Sequence, residues 1–175
     1  MEDLYIEQIV EREETKKDRI KKVIIVIIAC VVSMILSIPE LFGGPINASP
    51  LIIIVAIIAN YFFKKLNIEY EYLYTSGTLD IDCIYNKSKR KNIFSAQVSE
   101  FIVMAHIDDK EHLSGYSALP VKDFSSGEVY GNTYMFIAYY KKEKIKVIIE
   151  PNEKLLKGML MYMTPKKLFL KENGN

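Results

Sequence analysis

The chain has 175 residues, half of them hydrophobic, with 23 Lys and Arg against 22 Asp and Glu and a net charge of +1. Such a balance gives no sign of a polyanionic partner, and its two cysteines, Cys30 and Cys83, fall in different parts of the chain and offer no disulfide framework.

Residues 1–22, MEDLYIEQIVEREETKKDRIKK, place Leu4, Tyr5, Ile9 and Ile6 or Val10 at helical spacing ahead of mixed charge. This cytosolic segment fits an amphipathic helix lying either on the inner leaflet or on the protein's own soluble domain. Glu2, Asp3 and Glu7 would be repelled by anionic lipid, so both placements stand.

Two uncharged runs follow, from Val23 to Ile38 with reach to Phe42, and from Ile46 to Phe63. Twenty helical residues at about 1.5 Å rise span the roughly 30 Å hydrocarbon core of a bilayer. Buried strands are the soluble alternative for such β-branched runs, but strands usually stop at about 10 residues, and both runs here are longer and bracketed by Lys. A cleaved signal peptide fits less well, because no small-x-small site follows the first run and a second comes soon after. The expectation is a transmembrane α-hairpin with helices at about 23–42 and 46–63. Lys16, Lys17, Arg19, Lys21 and Lys22 precede it, Lys64 and Lys65 follow it, and LFGGPINASP between the runs has no Lys or Arg. The positive-inside rule then makes this a multi-pass protein of the cell membrane with both termini cytoplasmic.

Residues 67–170 read as a cytosolic β domain. Ile68, Tyr70, Tyr72 and Tyr74 alternate with Glu69, Glu71 and Leu73, Ser76-Gly77 supplies a turn, and Leu79, Ile81, Cys83 and Tyr85 resume the period of two. Further runs, NIFSAQ, EFIVMAHI, a short one near Ala118 to Val121, TYMFIAYY and KIKVIIE, bring the count to six or seven mainly antiparallel strands. A helix at 152–163 starts at Pro151-Asn152, presents Leu155, Leu156, Met159, Leu160 and Met163 on one face, and stops at Thr164-Pro165. The fold class is α+β, a membrane hairpin followed by a β domain with a C-terminal helix.

The meander LYTSGTLDIDCIYNKSKRKNI and the hairpin plus helix YMFIAYYKKEKIKVIIEPNEKLLKGML resemble a pleckstrin-homology-like domain of the bacterial kind that follows paired membrane helices. Nearly the whole chain is also similar to short two-helix bacterial membrane proteins grouped as a domain of unknown function, a likeness that implies a fold and an address but no activity.

The inventory for catalysis is thin. HIDDKEH, from His106 to His112, has His-x5-His spacing, which does not match helical zinc motifs, and reads as a solvated acidic loop. Asp80 and Asp82 share one strand face and read as the wet side of a hairpin. No phosphate-binding glycine loop, nucleophile elbow or CxxC is present, so neither catalysis nor a cofactor or metal is expected.

Two basic turns remain. From Lys64 onward, 17 Lys and Arg stand against 14 Asp and Glu, an excess of +3 that is concentrated at Lys87, Lys89, Arg90 and Lys91 and at Lys141, Lys142, Lys144 and Lys146. In an up-and-down meander starting beside the membrane, both turns return to the membrane side. Anionic lipid is therefore the expected ligand, with Lys87, Lys89, Arg90, Lys91, Lys141 and Lys142 as contacts and charge needed merely for solubility as the alternative. Nucleic acid is not expected, since no stacking aromatics interleave with the charges. The second functional class is an adaptor or structural subunit, with a protein partner or a second copy on a sheet edge or helix groove.

Overall fold

The computed structural model describes residues 4–38, 49–164 and 168–169. They form two units: a helical one, residues 14–68, and a β-rich one built from residues 1–13 together with 69–175. The second unit is thus discontinuous in sequence.

The discontinuity arises because the N-terminal segment is a strand. β1, Tyr5–Glu11, pairs antiparallel with β2, Ile68–Thr75, in a register that runs from Tyr5↔Thr75 to Glu11↔Glu69. The expected amphipathic helix at 1–22 is corrected accordingly, as is a β domain confined to 67–170. Over seven residues, apolar spacing fits both periods, and the pairing partner decides. Ile6, Gln8 and Val10 face inward; Ile6 and Val10 are buried, and the Gln8 amide donates to the Glu150 carbonyl and accepts from the Asn152 N–H, at 2.7 and 2.8 Å.

β3 (Thr78–Tyr85) and β4 (Lys89–Gln97) complete a four-stranded sheet in the order β1-β2-β3-β4. A second sheet, β6-β8-β7-β5-β9, is built from β5 (Val103–His106), β6 (Val121–Asp123), β7 (Tyr134–Tyr140), β8 (Glu143–Ile149) and β9 (Leu168–Phe169). Pairings β5–β7 and β7–β8 are antiparallel, whereas β6–β8 and β5–β9 are parallel. The described residues therefore hold nine strands rather than six or seven, and the short strand expected near 118–121 lies at Val121–Asp123. A single helical turn, α3 (Lys110–Leu113), follows β5.

The inner faces of both sheets meet in an aromatic core in which Phe101 stacks on Phe136 at 4.0 Å and Phe94 lies within 6 Å of Phe124, Phe136 and Tyr140. α4, Glu153–Tyr162, closes the core with Leu155, Met159 and the following Met163, while Met161 points to solvent. Its N-cap is Asn152, whose side chain accepts from the Leu155 N–H at 2.8 Å. Tyr72 ties the sheets together: its buried hydroxyl donates to the Phe124 carbonyl at 2.6 Å and accepts from the Glu150 N–H at 3.2 Å. Tyr72→Phe should destabilise the domain by about 1–3 kcal/mol, because both backbone groups lose a partner where water cannot replace it. Chemical denaturation would measure that loss, and an unchanged midpoint would contradict it.

In the helical unit, α1 spans Lys16–Leu36 and α2 spans Ser49–Leu66. Thr15 caps α1 by accepting from the Asp18 N–H at 3.2 Å, and its hydroxyl donates to the Asp18 carboxylate at 2.6 Å. These bounds differ from the expected 23–42 and 46–63: α1 begins within the basic flank because Thr15 offers a cap there, and residues 39–48 lie outside the described ones. Among the described residues, no helix is long and apolar enough to cross a membrane. The two helices pack on each other, leaving Val23, Ile27, Ile28, Ile53, Ile57 and Phe62 exposed.

Candidate functional site

The β3–β4 connection needs two consecutive left-handed residues, supplied by Asn86 (φ 49°) and Lys87 (φ 54°), the geometry of a type I′ hairpin turn. This bend brings Lys87 back beside the start of β2. Its ammonium lies 3.5 Å from the Glu69 carboxylate and 3.7 Å from Glu11, the residue paired with Glu69 in the sheet. Arg90, further along β4, reaches across the outer sheet face, placing Nη2 2.6 Å from Glu71 Oε1 and Nε 3.9 Å from Asp82 Oδ2.

Glu71, on the β2 face opposite Tyr70, Tyr72 and Tyr74, is 1% exposed, and its Oε2 has no hydrogen-bond donor among the described residues. Burial raises its pKa, Arg90 pulls it down, and the neighbouring Glu7 carboxyl raises it again. Asp82 is also buried rather than wet, and its Oδ1 accepts from the Asn92 amide at 2.9 Å, while Asp80 is half-buried. Two of the four bases of this turn, Lys87 and Arg90, thus face four acids, Glu11, Glu69, Glu71 and Asp82. Lys89 and Lys91 are exposed and have no ionic partner among the described residues.

The second basic turn joins β7 to β8 through Lys141 (φ 51°) and Lys142 (φ 70°), again the I′ geometry. Lys141 lies 5.3 Å from the centre of the Tyr140 ring, Lys122 of β6 lies 5.0 Å from the same ring, and Lys144 lies 5.6 Å from the ring of Tyr139. Lys146 departs from the group: it is buried and its ammonium donates to the Ser117 carbonyl at 2.7 Å.

The acidic loop is divided between two environments. His106, at the end of β5, is buried with Nδ1 accepting from the Asp108 N–H at 3.3 Å, and its Nε2 has no partner among the described residues. The ring of His112 stacks on Phe169, and its Nδ1 lies 2.8 Å from Asp109, whose pKa is lowered chiefly by the His112 backbone N–H. Among the described residues, no group of three or more His, Cys, Asp and Glu is arranged to hold a metal ion.

Residues 2–170 of the chain match a known family, the Bacterial PH-like domain (DUF6106). The chain belongs to that family. No curated protein and no solved structure matches it. PH-like domains are generally non-catalytic and commonly bind lipids or proteins, which makes a binding module the broad functional class. In this bacterial PH-like domain the helical pair interrupts the first sheet, between β1 and β2.

Proposed function

We propose that the protein is a non-catalytic, membrane-anchored binding module. Its helical pair is embedded in the cytoplasmic membrane with both ends on the cytoplasmic side, and the bacterial PH-like domain docks on anionic headgroups of the inner leaflet.

The observation that carries this reading is the apolar surface of the helical unit. Val23, Ile27, Ile28, Ile53, Ile57 and Phe62 are each about half exposed, and two clefts between the helices, of 380 and 370 Å³, are lined almost wholly by apolar side chains. Monomeric soluble proteins rarely leave more than a few hundred Å² of contiguous apolar surface in water. Lipid would cover this one on all sides. The uncharged part of α1 from Val23 to Leu36 is short for a span; bilayer thinning and Lys side chains that reach the interface accommodate such a mismatch at a modest energetic cost. Lys16, Lys17, Arg19, Lys21 and Lys22 on one side of the pair and Lys64 and Lys65 on the other favour the cytoplasmic orientation.

Washing cell membranes at alkaline pH in carbonate tests the anchor. The full chain should stay in the pellet, and its release with the peripheral proteins would overturn the reading.

A further inference from the structure

The two basic turns are unequal. At the β3–β4 turn, Lys87 and Arg90 are already engaged by Glu11, Glu69, Glu71 and Asp82, which leaves only Lys89 and Lys91 of that cluster without an ionic partner among the described residues. At the β7–β8 turn, Lys122, Lys141, Lys142 and Lys144 have no carboxylate partner among the described residues, and Glu143 is the sole acid within the turn. We propose that this β6/β7–β8 corner, and not the β3–β4 turn, is the surface that docks on an anionic bilayer. The inference rests on the membrane reading above.

The corner is built for an interface. Successive strand residues point to opposite faces, so Tyr139 and Tyr140 turn to either side of the hairpin end. Tyr139 is 60% exposed with Lys144 over its ring. Tyr140 is packed against the core, its hydroxyl donating to the Ile93 carbonyl at 3.0 Å, and it gathers two ammonium groups from different elements, Lys122 and Lys141. Tyrosines with an apolar ring and a polar tip, flanked by lysines, suit the headgroup layer. Each basic group held there strengthens attachment to an anionic leaflet by roughly fivefold.

Within the β unit, β6 runs toward the points where the chain leaves and re-enters that unit. Glu13, the last residue of the β unit before the helices, donates its N–H to the Ser126 carbonyl at 2.7 Å, and the ring of Tyr70, just after them, meets that of Phe124 at 5.6 Å. Lys122 lies two and four residues from those contacts.

Lysine-reactive footprinting read by mass spectrometry tests the proposal on the full chain in nanodiscs, of pure phosphatidylcholine or with one third phosphatidylglycerol. Expected is at least about a fivefold drop in labelling at Lys122, Lys141, Lys142 and Lys144 on the anionic discs, reversed by high salt, with Lys110 and Lys157 unchanged. The double variant Lys141→Asn, Lys142→Gly removes two charges while supplying the residue pair that type I′ turns prefer, so the fold is retained; it should abolish the protection at Lys122 and Lys144. Equal labelling on both lipids, protection confined to Lys89 and Lys91, or protection by inorganic phosphate on the zwitterionic discs would each overturn the proposal. A chain that does not stay with the discs speaks against the anchor alone. Offered to vesicles of the same two compositions, it should still be protected at the corner by the anionic ones, and its failure there would overturn the docking surface as well.

Discussion

Deleting residues 1–13 should abolish the cooperative unfolding of the β domain rather than trim a disposable tail. β1 contributes the buried Ile6 and Val10, the Gln8 amide that bridges Glu150 and Asn152, and one whole edge of the pairing of β2. Burying each aliphatic side chain is worth about 1.5–3 kcal/mol, and leaving the part-buried Glu150 carbonyl unpaired adds about 1–3 kcal/mol. A loss of that size consumes most of the roughly 5–15 kcal/mol by which domains are stable. The converse experiment keeps β1 and replaces residues 12–68 with Asn-Gly, a turn that can join Glu11 directly to Glu69 because the two are already opposite one another. That variant should melt cooperatively by circular dichroism. A sharp transition in the deletion, or none in the turn replacement, would show that β1 is not integral to the domain.

The second large effect is expected at Arg90. Arg90→Ala leaves the Glu71 carboxylate buried with neither oxygen paired to a cation, which should destabilise the domain by about 2–4 kcal/mol at pH 8, toward the low end for a broken buried pair because Arg90 itself is half exposed. The loss should shrink toward pH 5. Burial raises the pKa of Glu71 and also that of Glu150, so across the interval above the ordinary glutamate value of about 4.3 the folded chain keeps protons that the unfolded chain has released. Stability contributed by such groups is present below that value and is lost as the pH rises through the folded one. The unaltered protein should therefore be more stable at pH 5 than at pH 8, Glu71→Gln should flatten the slope, and Glu71→Gln in the Arg90→Ala background should recover much of the loss at pH 8. Equal destabilisation by Arg90→Ala at both pH values would refute the assignment.

Local signals in this chain were readable and distant ones were not. The alternation of Tyr70, Tyr72 and Tyr74, the Ser76-Gly77 turn and the Asn152 cap each lie within a few residues of the structure they specify, and the α+β, antiparallel character follows from them. β1 was not readable, because seven residues satisfy both helical and strand periods and its partner lies beyond both helices. The same distance hid the ion pair of Lys87 with Glu11, which reaches the turn only through the β1–β2 pairing. Simple alternation placed Glu71 opposite the tyrosines but could not show Arg90 folded over it. Strand parity carried the Lys87 turn back to the start of β2, whereas Lys141 and Lys142 belong to a second sheet with its own order and two parallel pairings. Which lysines keep their charge available to a ligand is a property of that three-dimensional pairing.

The insertion of the helical pair between two hydrogen-bonded strands has a consequence for biogenesis. β1 leaves the ribosome before β2, and its register can begin to close at Glu11↔Glu69 once Glu69 has emerged and is complete only when Thr75 has followed. In a membrane, two strands can pair only if the chain between them crosses an even number of times. A nascent chain that threaded one helix and lost the other would strand β1 and β2 in different compartments, with the core of Tyr72 and Tyr74 uncovered. On the proposed membrane reading, completion of the sheet would therefore distinguish chains that crossed twice from chains that crossed once.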